Sequence, residues 1–263
     1  MSIIMKNICK KYDNNYALSN VNLNLNRGEV IGIVGKNGAG KTTLMKILCG
    51  NIVDFEGIVT YPDSSSKRNI GFLIENPKFY PNETGFQNLK IFSKLFSIEN
   101  SASDNTDDII KALNMEEYIN KKSKKYSLGM KQRLGIAIAL LGEPDFLILD
   151  EPTNGMDPNG IKEILKYLKR LAKEKQIGIF ISSHQLDHIQ EISDYILVIE
   201  KGKIIKKIDK SKIDSHKIVT ITVKNEDITK TKRLLQEEGI DVTVDNKSLR
   251  FKVKDMSLIL QKM

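Results

Sequence analysis

Cysteine and long apolar runs are both scarce in this sequence, and each shortage excludes a class of protein. Cys9 and Cys49 are the only cysteines, and no Cys-x-x-Cys pair or histidine-rich cluster occurs, so neither a disulfide framework nor a structural zinc site is supported. The longest uncharged apolar run, 134–142, is about half of the roughly 20 residues that a transmembrane helix needs. The first residues lack the basic and apolar regions of a secretory signal, so we expect a cytoplasmic protein that does not itself span a membrane.

The composition is that of an ordinary folded protein. Hydrophobic residues make up 40% and charged residues 28% of the 263 residues, which excludes a disordered tail and a collagen-like fibre. The formal net charge of +8 permits contact with nucleic acid or with an anionic membrane surface. The basic residues are scattered along the chain, so background composition on solvated faces is the favoured explanation of the charge.

Hydrophobic periodicity predicts an α/β fold. Val21, Leu23 and Leu25 alternate with asparagines, which is the period of a half-buried strand, so we expect an antiparallel layer near the start. Short continuous apolar runs, several of them followed by helical patterns, predict buried strands of a mostly parallel sheet. These runs are 30–34, 70–74, 146–149, 177–181 and 196–199.

Helical patterns separate these predicted strands. The clearest lies between Ile161 and Ala172, with Asp157 as the predicted N-cap and Pro158 at the first helical position. Residues 82–139 show helical spacing, no convincing strand, and a polar interruption at Asn100–Asp108. We therefore predict a helical insertion between strands of the sheet.

The pattern changes after about residue 215 to that of a small β-α-β-β appendage. Strands are predicted near 219–223, 240–244 and 249–253, with a helix at 227–239, a turn at 245–247 and a short terminal helix capped by Asp255. We predict two domains, residues 1–215 and residues 216–263. A stabilising cap and a regulatory or dimer-contact role both remain open for the smaller one.

One segment carries a specific chemical signal. Gly35-Lys36-Asn37-Gly38-Ala39-Gly40-Lys41-Thr42 fits the Walker A pattern, and it lies between an apolar strand and a helical pattern. Glycines let backbone N–H groups converge on phosphate oxygens, the helix N-terminus favours anions, and the lysine adds a positive charge. The alternative is a glycine-rich turn with an incidental lysine, which the flanking strand and helix disfavour. The residues predicted to bind a nucleoside triphosphate are Gly35, Asn37, Gly38, Gly40, Lys41, Thr42 and Thr43.

A second signal is the run Phe146-Leu147-Ile148-Leu149-Asp150-Glu151, in which four apolar residues end in two carboxylates. A buried strand of this form delivers acidic groups to a site at its carboxyl end. We expect Asp150 to hold magnesium through water, together with the Thr42 hydroxyl, and Glu151 to polarise the attacking water. Such a pair alone is more often a capped turn, so hydrolysis is favoured because the Walker segment is also present.

The chain resembles an ABC-type ATPase cassette, with motifs from Tyr12 to His184 in the expected order. The segment Tyr126–Arg133 is similar to the family's Leu-Ser-Gly-Gly-Gln signature, from which Leu128 and Met130 depart. The resemblance implies a P-loop core of mixed sheet and helices, with an antiparallel β layer and a helical insertion. It also implies that Ser127 and Gly129 grip a γ-phosphate, although Ser127 also fits a plain N-cap.

Three more residues take their expected roles from this resemblance. Tyr12 resembles the aromatic residue that stacks on adenine, His184 the switch histidine that contacts the γ-phosphate, and Asp157 the acidic residue of the D-loop. Each has an ordinary structural alternative: packing for the tyrosine, a structural role for the histidine, and helix capping for the aspartate.

One position departs from most cassettes of this family, which place a glutamine after the strand corresponding to 70–74. This chain has Glu75, a carboxylate that can still coordinate magnesium but adds a negative charge and loses the amide donor. Together with the segment Ser127–Ala137, it resembles the ATPase subunits of lantibiotic immunity and bacitracin-resistance exporters. A drifted glutamine position in another exporter cassette is the alternative.

The resemblance implies a set of partners. ATP and Mg²⁺ are the expected cofactors, and a second copy of the chain is expected to form a head-to-tail dimer on binding ATP. A separate transmembrane permease would hold the subunit at the inner face of the plasma membrane, with docking near 75–86. A soluble ATPase acting on nucleic acid or ribosomes, and a nucleotide-binding regulator without turnover, are the alternatives; no nucleic acid partner is expected under the first hypothesis.

Overall fold

The computed structural model describes residues 1–62, 70–75, 78–96, 102–184, 186–209, 217–222, 229, 232, 233, 236, 242–245 and 248–253. The chain divides into two compact units, Met1–Lys207 and Ile208–Met263. The domain boundary predicted after residue 215 falls outside the described residues and stays a prediction.

The first unit alternates strands and helices through most of its length, which is the order expected of an α/β fold. Its elements are β1 Ser2–Tyr12, β2 Asn15–Asn26, β3 Val30–Val34, α1 Lys41–Leu48, β4 Glu56–Thr60, β5 Ile70–Leu73, α2 Gly85–Leu95, α3 Ala102–Ala112, a 3-10 helix Ser123–Lys125, α4 Leu128–Leu140, β6 Phe146–Leu149, α5 Pro158–Glu174, β7 Gly178–Ser182, α6 Leu186–Gln190, β8 Tyr195–Glu200 and β9 Lys203–Asp209, whose last two residues pass the boundary between the units.

The predicted antiparallel layer is confirmed. Strands β2, β1 and β4 form a three-stranded sheet in that order, and both pairings are antiparallel. Val21, Leu23 and Leu25 are buried while the asparagines between them are exposed. The period of two therefore places one face of β2 on the core and the other in solvent.

A six-stranded sheet forms the centre of the first unit, in the order β5-β6-β7-β3-β8-β9. The pairs β5/β6, β6/β7, β7/β3 and β3/β8 are parallel, so the carboxyl ends of these strands meet at one edge. The expected strands are confirmed, although β5 ends at Leu73, one residue before the end of its apolar run, and is not fully buried, because Phe72 is 45% exposed. Residues of β6 and β7 are buried along their whole length, as both faces of the sheet are covered.

Helix α5 begins where the sequence predicts. Asp157 is its N-cap, with its carboxylate accepting a hydrogen bond from the Gly160 N–H at 3.4 Å, and Pro158 occupies the first turn. Its apolar stripe buries Ile164, Leu165 and Leu168. No helix in the described part of the chain has the length and apolar character needed to cross a membrane.

The expected polar interruption at Asn100–Asp108 is wrong from Ala102 onward, because α3 spans Ala102–Ala112; residues 100 and 101 lie outside the described residues. Thr106, Ile109 and Ile110 are buried, and Leu113 follows at the next helical position. This spacing forms one buried helical face, so packing in the insertion overrides the weak helix propensity of the Ser, Asp and Asn residues.

The second unit contains three described strands: β10 Lys217–Thr222, β11 Val242–Asp245 and β12 Ser248–Val253. They form an antiparallel sheet in the order β10-β12-β11. Asp245 pairs with Ser248, and the remaining residues of the turn predicted at 245–247 lie outside the described residues. Most of the helix predicted at 227–239, and the terminal helix expected after Asp255, lie outside the described residues.

Candidate active site

The loop between β3 and α1 forms one wall of a cleft at the carboxyl edge of the sheet. Gly35 is required by space, since a Cβ there would lie 2.4 Å from the Ile199 carbonyl oxygen. Gly40 is the N-cap of α1 with φ of 108°, and no side chain caps this helix. The N–H groups of the first turn, which includes Thr42 and Thr43, therefore have no partner inside the helix and form a site for an anion.

Lys41 carries a buried positive charge in this loop. Its side chain donates to the Gly35 carbonyl oxygen at 2.7 Å and to the Lys36 carbonyl oxygen at 3.3 Å, and the residue is 7% exposed. Among the described residues no carboxylate lies within 4.0 Å of its amine. A buried cation without a counter-ion is costly, so this environment fits a ligand that brings negative charge, such as a polyphosphate.

Asp150 is fixed at the end of β6 by two hydroxyl groups. The Thr42 hydroxyl donates to Oδ2 at 2.7 Å, and the Ser182 hydroxyl donates to Oδ1 at 2.6 Å. The Ser182 oxygen also accepts the Glu151 N–H at 2.9 Å, so one serine holds both acidic residues in place. Sequence reasoning missed Ser182, whose only signal is its position at the end of β7, the strand beside β6.

Glu151 and His184 meet at the same edge. The Glu151 carboxylate is hydrogen-bonded to Nδ1 of His184 at 2.5 Å, and the two side chains are 25% and 54% exposed. Glu151 has φ of 51°, a left-handed conformation that turns the chain directly after the strand. The pair places a carboxylate that can accept a proton next to a ring that orients it.

The cleft has a volume of about 690 Å³, within the ordinary range of small-molecule sites. It gathers side chains that are far apart in sequence, and only Ala17 and Asn154 among them were not predicted. The lining residues are Tyr12, Ala17, Asn37, Gly38, Gly40, Lys41, Thr42, Thr43, Asp150, Glu151, Asn154 and His184.

Tyr12 lies at the mouth of this cleft, at the end of β1. The residue is 48% exposed, and the Lys10 ammonium lies 5.1 Å from the centroid of its ring. An exposed aromatic ring beside a cleft is suited to stacking on a planar group. Its contact with adenine stays a prediction.

Ser127, Gly129 and Asp157 do not line this cleft. Ser127 is the N-cap of α4 and accepts a hydrogen bond from the Met130 N–H at 3.2 Å, so the capping role expected of it is present. A Cβ on Gly129 would lie 3.1 Å from the Gly155 carbonyl oxygen, which shows that α4 starts against the loop before Asp157. The three residues thus belong to a second surface of the chain, and their predicted phosphate and D-loop roles stay predictions.

Glu75 also lies outside the cleft lining. Its carboxylate forms an ion pair with Lys46 of α1 at 2.5 Å, and this hydrogen bond, with the charge of Lys46, lowers the pKa of Glu75. The backbone has φ of 62°, and the side chain is 57% exposed. The geometry therefore gives the carboxylate a lysine partner, and its magnesium role stays a prediction.

The oxygen groups of the cleft fit a magnesium ion held mainly by a nucleotide. The described residues contain no group of three or more His, Cys, Asp or Glu side chains that is arranged to hold a metal. The Thr42 hydroxyl and the Asp150 carboxylate lie together, and Mg²⁺ prefers oxygen ligands, keeps several waters and takes the rest from substrate phosphates. The site suits such a shared ion better than a cage made only of protein groups.

Comparisons with known proteins all find similarity to ATP-binding proteins of ABC transporters. The family model described as ABC transporter matches residues 18–154. The bacitracin transport ATP-binding protein BcrA of Bacillus licheniformis is 41% identical over 217 residues, covering 79% of this chain and 70% of that protein. The lantibiotic transport ATP-binding protein SrtF of Streptococcus pyogenes is 39% identical over 208 residues, covering 76% and 88%. A dimeric ATP-binding cassette solved in a post-hydrolysis state with ADP and Pi is 25% identical, with a TM-score of 0.71 and coverage of 79% and 98%.

Proposed function

The chain belongs to the ABC transporter family of ATP-binding cassettes, and on that premise we propose that it is the ATP-hydrolysing subunit of an exporter for antimicrobial peptides of the bacitracin or lantibiotic type. The observation that carries the ATPase function is the cleft itself, which unites the Lys41 loop, Asp150, Glu151 and His184. The observation that carries the cargo class is the 41% and 39% identity to two transport ATP-binding proteins named for such peptides.

Each group of the cleft has a distinct task. Lys41 and the N–H groups at the start of α1 bind and orient the phosphates. Thr42 and Asp150 would hold Mg²⁺, which supplies charge neutralisation on the phosphate oxygens when bound. Glu151 accepts the proton of the attacking water, and His184 keeps the carboxylate oriented for that transfer. Ser182 holds the Asp150 carboxylate by donating to it and holds the backbone at Glu151 by accepting its N–H.

We infer a head-to-tail dimer because one chain does not place all of the predicted phosphate-binding residues in one cleft. Ser127 and Gly129 lie at the start of α4, outside the lining of the chain's own cleft. A second copy presenting this helix start would add a hydroxyl, a bare backbone and a helix N-terminus to the open side of the nucleotide. ATP then favours the closed pair because it binds that arrangement on both surfaces.

The proposal also needs a separate permease, which would keep the subunit at the inner face of the plasma membrane. The segment 78–86 is a suitable docking region because it follows Glu75 along the chain and leads into the insertion helix α2. Tyr80 in this segment is 48% exposed, and its ring centroid lies 6.2 Å from that of Phe92 with the two rings tilted at 48°. Movement of the docked partner would reach the cleft through the chain between β5 and α2.

Expression of the chain together with a candidate permease in a susceptible host tests the proposal. Wild type should raise the concentration of bacitracin or of a lantibiotic that stops growth, and Glu151→Gln, expressed equally, should not. An antibiotic with a cytoplasmic target serves as the control compound and should show no change. If neither peptide class is affected while the purified chain hydrolyses ATP, the cargo assignment is wrong.

Co-purification separates this function from the nucleic-acid alternative. A tagged chain from solubilised membranes should carry the permease with it. Recovery of RNA or ribosomes instead, with an affinity that falls steeply as salt rises, would support a soluble ATPase acting on nucleic acid.

A further inference from the structure

Arg133 lies at the centre of a polar cluster for which the function above has no role. The residue is on α4, the helix that begins directly after Ser127. Its guanidinium donates to the Leu113 carbonyl oxygen at 2.6 Å and to the Glu163 carboxylate, on α5, at 3.0 Å. A single side chain therefore ties α4 both to the end of the α3 segment and to α5.

The surroundings of the guanidinium are built around this contact. Asn114, which follows α3, donates to the same Glu163 oxygen at 2.9 Å and has φ of 50°. A Cβ on Gly160 would lie 3.1 Å from the guanidinium, so the glycine lets Arg133 approach the first turn of α5 closely. The Arg133 side chain is 13% exposed, and its hydrogen bond lowers the pKa of Glu163.

A second contact lies at the start of α4, which packs on the loop that leads into α5. A Cβ on Gly155 would lie within 2.5 Å of the Leu128 side chain, so residue 128 covers the loop that precedes Asp157. A Cβ on Gly129 would lie 3.1 Å from the Gly155 carbonyl oxygen. Packing at Leu128 and the polar cluster at Arg133, about one and a half turns further on, together fix both the position and the direction of α4 relative to α5.

We propose that Arg133 is a positioning residue for ATP-dependent pairing of two copies: it sets the start of α4, with Ser127 and Gly129, against the Asp157 loop so that one rigid surface meets the partner's nucleotide. This rests on the dimer of the proposed function. Apolar packing buries residues such as Leu134 and Ile136 of α4, but apolar contacts are not directional and leave some freedom in the orientation of the exposed first turn. The two-way fork of an arginine removes that freedom.

The experiment uses the full chain in a Glu151→Gln background, in which ATP and magnesium should hold the dimer. Arg133→Ala in this background should weaken ATP-dependent dimerisation by about tenfold or more, as measured by analytical ultracentrifugation over a concentration series. Arg133→Lys should restore only part of the loss, because an ammonium does not reproduce the fixed fork. Binding of a fluorescent ATP analogue to the monomer should stay within about twofold of the parent, because the chain's own cleft is unchanged.

Arg170→Ala is the matched control, since this arginine lies on α5 and makes an exposed pair with Glu174 at 4.0 Å. It should dimerise like the parent.

Glu163→Gln is a second, milder variant, because it retains an oxygen acceptor for Arg133 and loses only the charge. Its dimerisation should be weaker than that of the parent and stronger than that of Arg133→Ala. It keeps the inference testable if Arg133→Ala folds poorly. Equal dimerisation of the parent, Arg133→Ala and Glu163→Gln overturns the inference. The inference is also overturned if the melting temperature and the monomer's affinity for nucleotide fall together with dimerisation, because a role in general stability then explains all three losses. If the Glu151→Gln parent itself never dimerises, the proposed function fails instead.

Discussion

Two acidic residues at the ends of neighbouring strands are held in very different ways. Asp150 follows β6 directly, is 7% exposed, and accepts hydrogen bonds from Thr42 and Ser182. Glu75 lies two residues beyond the end of β5, which pairs with β6, and its side chain is 57% exposed with a bond to Lys46. The first carboxylate is held by a half-buried hydroxyl on α1 and a buried hydroxyl on β7, while the second pairs with one partly exposed lysine side chain.

We expect this difference to distinguish a residue needed for ATP hydrolysis from one that couples hydrolysis to the permease. A buried carboxylate with both oxygens bonded has one position, which suits a group that must hold an ion in register with a nucleotide. An exposed ion pair contributes little stability, about 0–1 kcal/mol, so Glu75 can exchange its partner at small cost. We therefore expect changes around Asp150 to damage ATP hydrolysis itself, and changes at Glu75 to damage its coupling to the permease.

Lys41→Ala should have the largest effect among changes to the cleft that contains Asp150. It removes the buried charge that compensates the phosphates, so ATP affinity should fall by about a hundredfold or more. Titration with a fluorescent ATP analogue measures this. Lys36→Ala, in the same loop but exposed, is the control and should bind normally. Unchanged affinity in Lys41→Ala would remove this lysine from the site.

Glu151→Gln keeps the size of the side chain and loses the base. Hydrolysis should fall by a factor on the order of a hundred or more while ATP still binds, since a general base contributes about that much to the rate. Phosphate release and binding are measured on one preparation, and size-exclusion chromatography with ATP and magnesium should show a dimer. A monomeric variant of normal activity would contradict the role of Glu151 as the base.

Ser182→Ala tests how far the fixed arrangement depends on a residue that sequence reasoning missed. It leaves one Asp150 oxygen and the Glu151 N–H without this partner, which costs about 1–3 kcal/mol and should lower the rate of hydrolysis about tenfold. Ser193→Ala is the control, because its buried hydroxyl has no hydrogen-bond partner among the described residues. Similar rates in the two variants would mean that Ser182 does not support the site.

Local patterns predicted the parts of the site that are continuous in sequence. The Walker segment and the pair Asp150-Glu151 were accessible because strand, loop and helix follow one another within a few residues. Ser182 was not, since its role depends on β7 lying beside β6, and strand order is a non-local property. The Lys46–Glu75 pair was missed for the same reason, as it joins residues of α1 to the end of β5 across the fold.

The helical insertion shows where the sequence pattern failed to predict the fold. A polar stretch before Ile109 suggested a break, but burial of Thr106 and Ile110 on one face supports a helix there. Propensity is a weak guide when tertiary packing supplies several buried side chains at helical spacing. The capped start of α5 was predictable because Asp157 and Pro158 act locally.

Glu75→Gln should have the smallest effect on the isolated chain, because it changes the exposed member of the two acidic residues compared above. An amide keeps an oxygen acceptor for Lys46 and loses the charge, so we expect ATP hydrolysis within about tenfold of wild type, a change of about 1.4 kcal/mol or less. Cells carrying the variant with its permease should nevertheless lose protection against bacitracin or a lantibiotic out of proportion to the change in ATPase rate.

Lys46→Gln is the matched variant, because it removes the positive charge beside Glu75 without altering the carboxylate. It should change the protection of cells relative to the ATPase rate, while ATP affinity stays near normal. Full protection in Glu75→Gln, Glu75→Ala and Lys46→Gln alike would mean that this strand end has no part in coupling, and the contrast with Asp150 would then reflect only the difference between a buried and an exposed position.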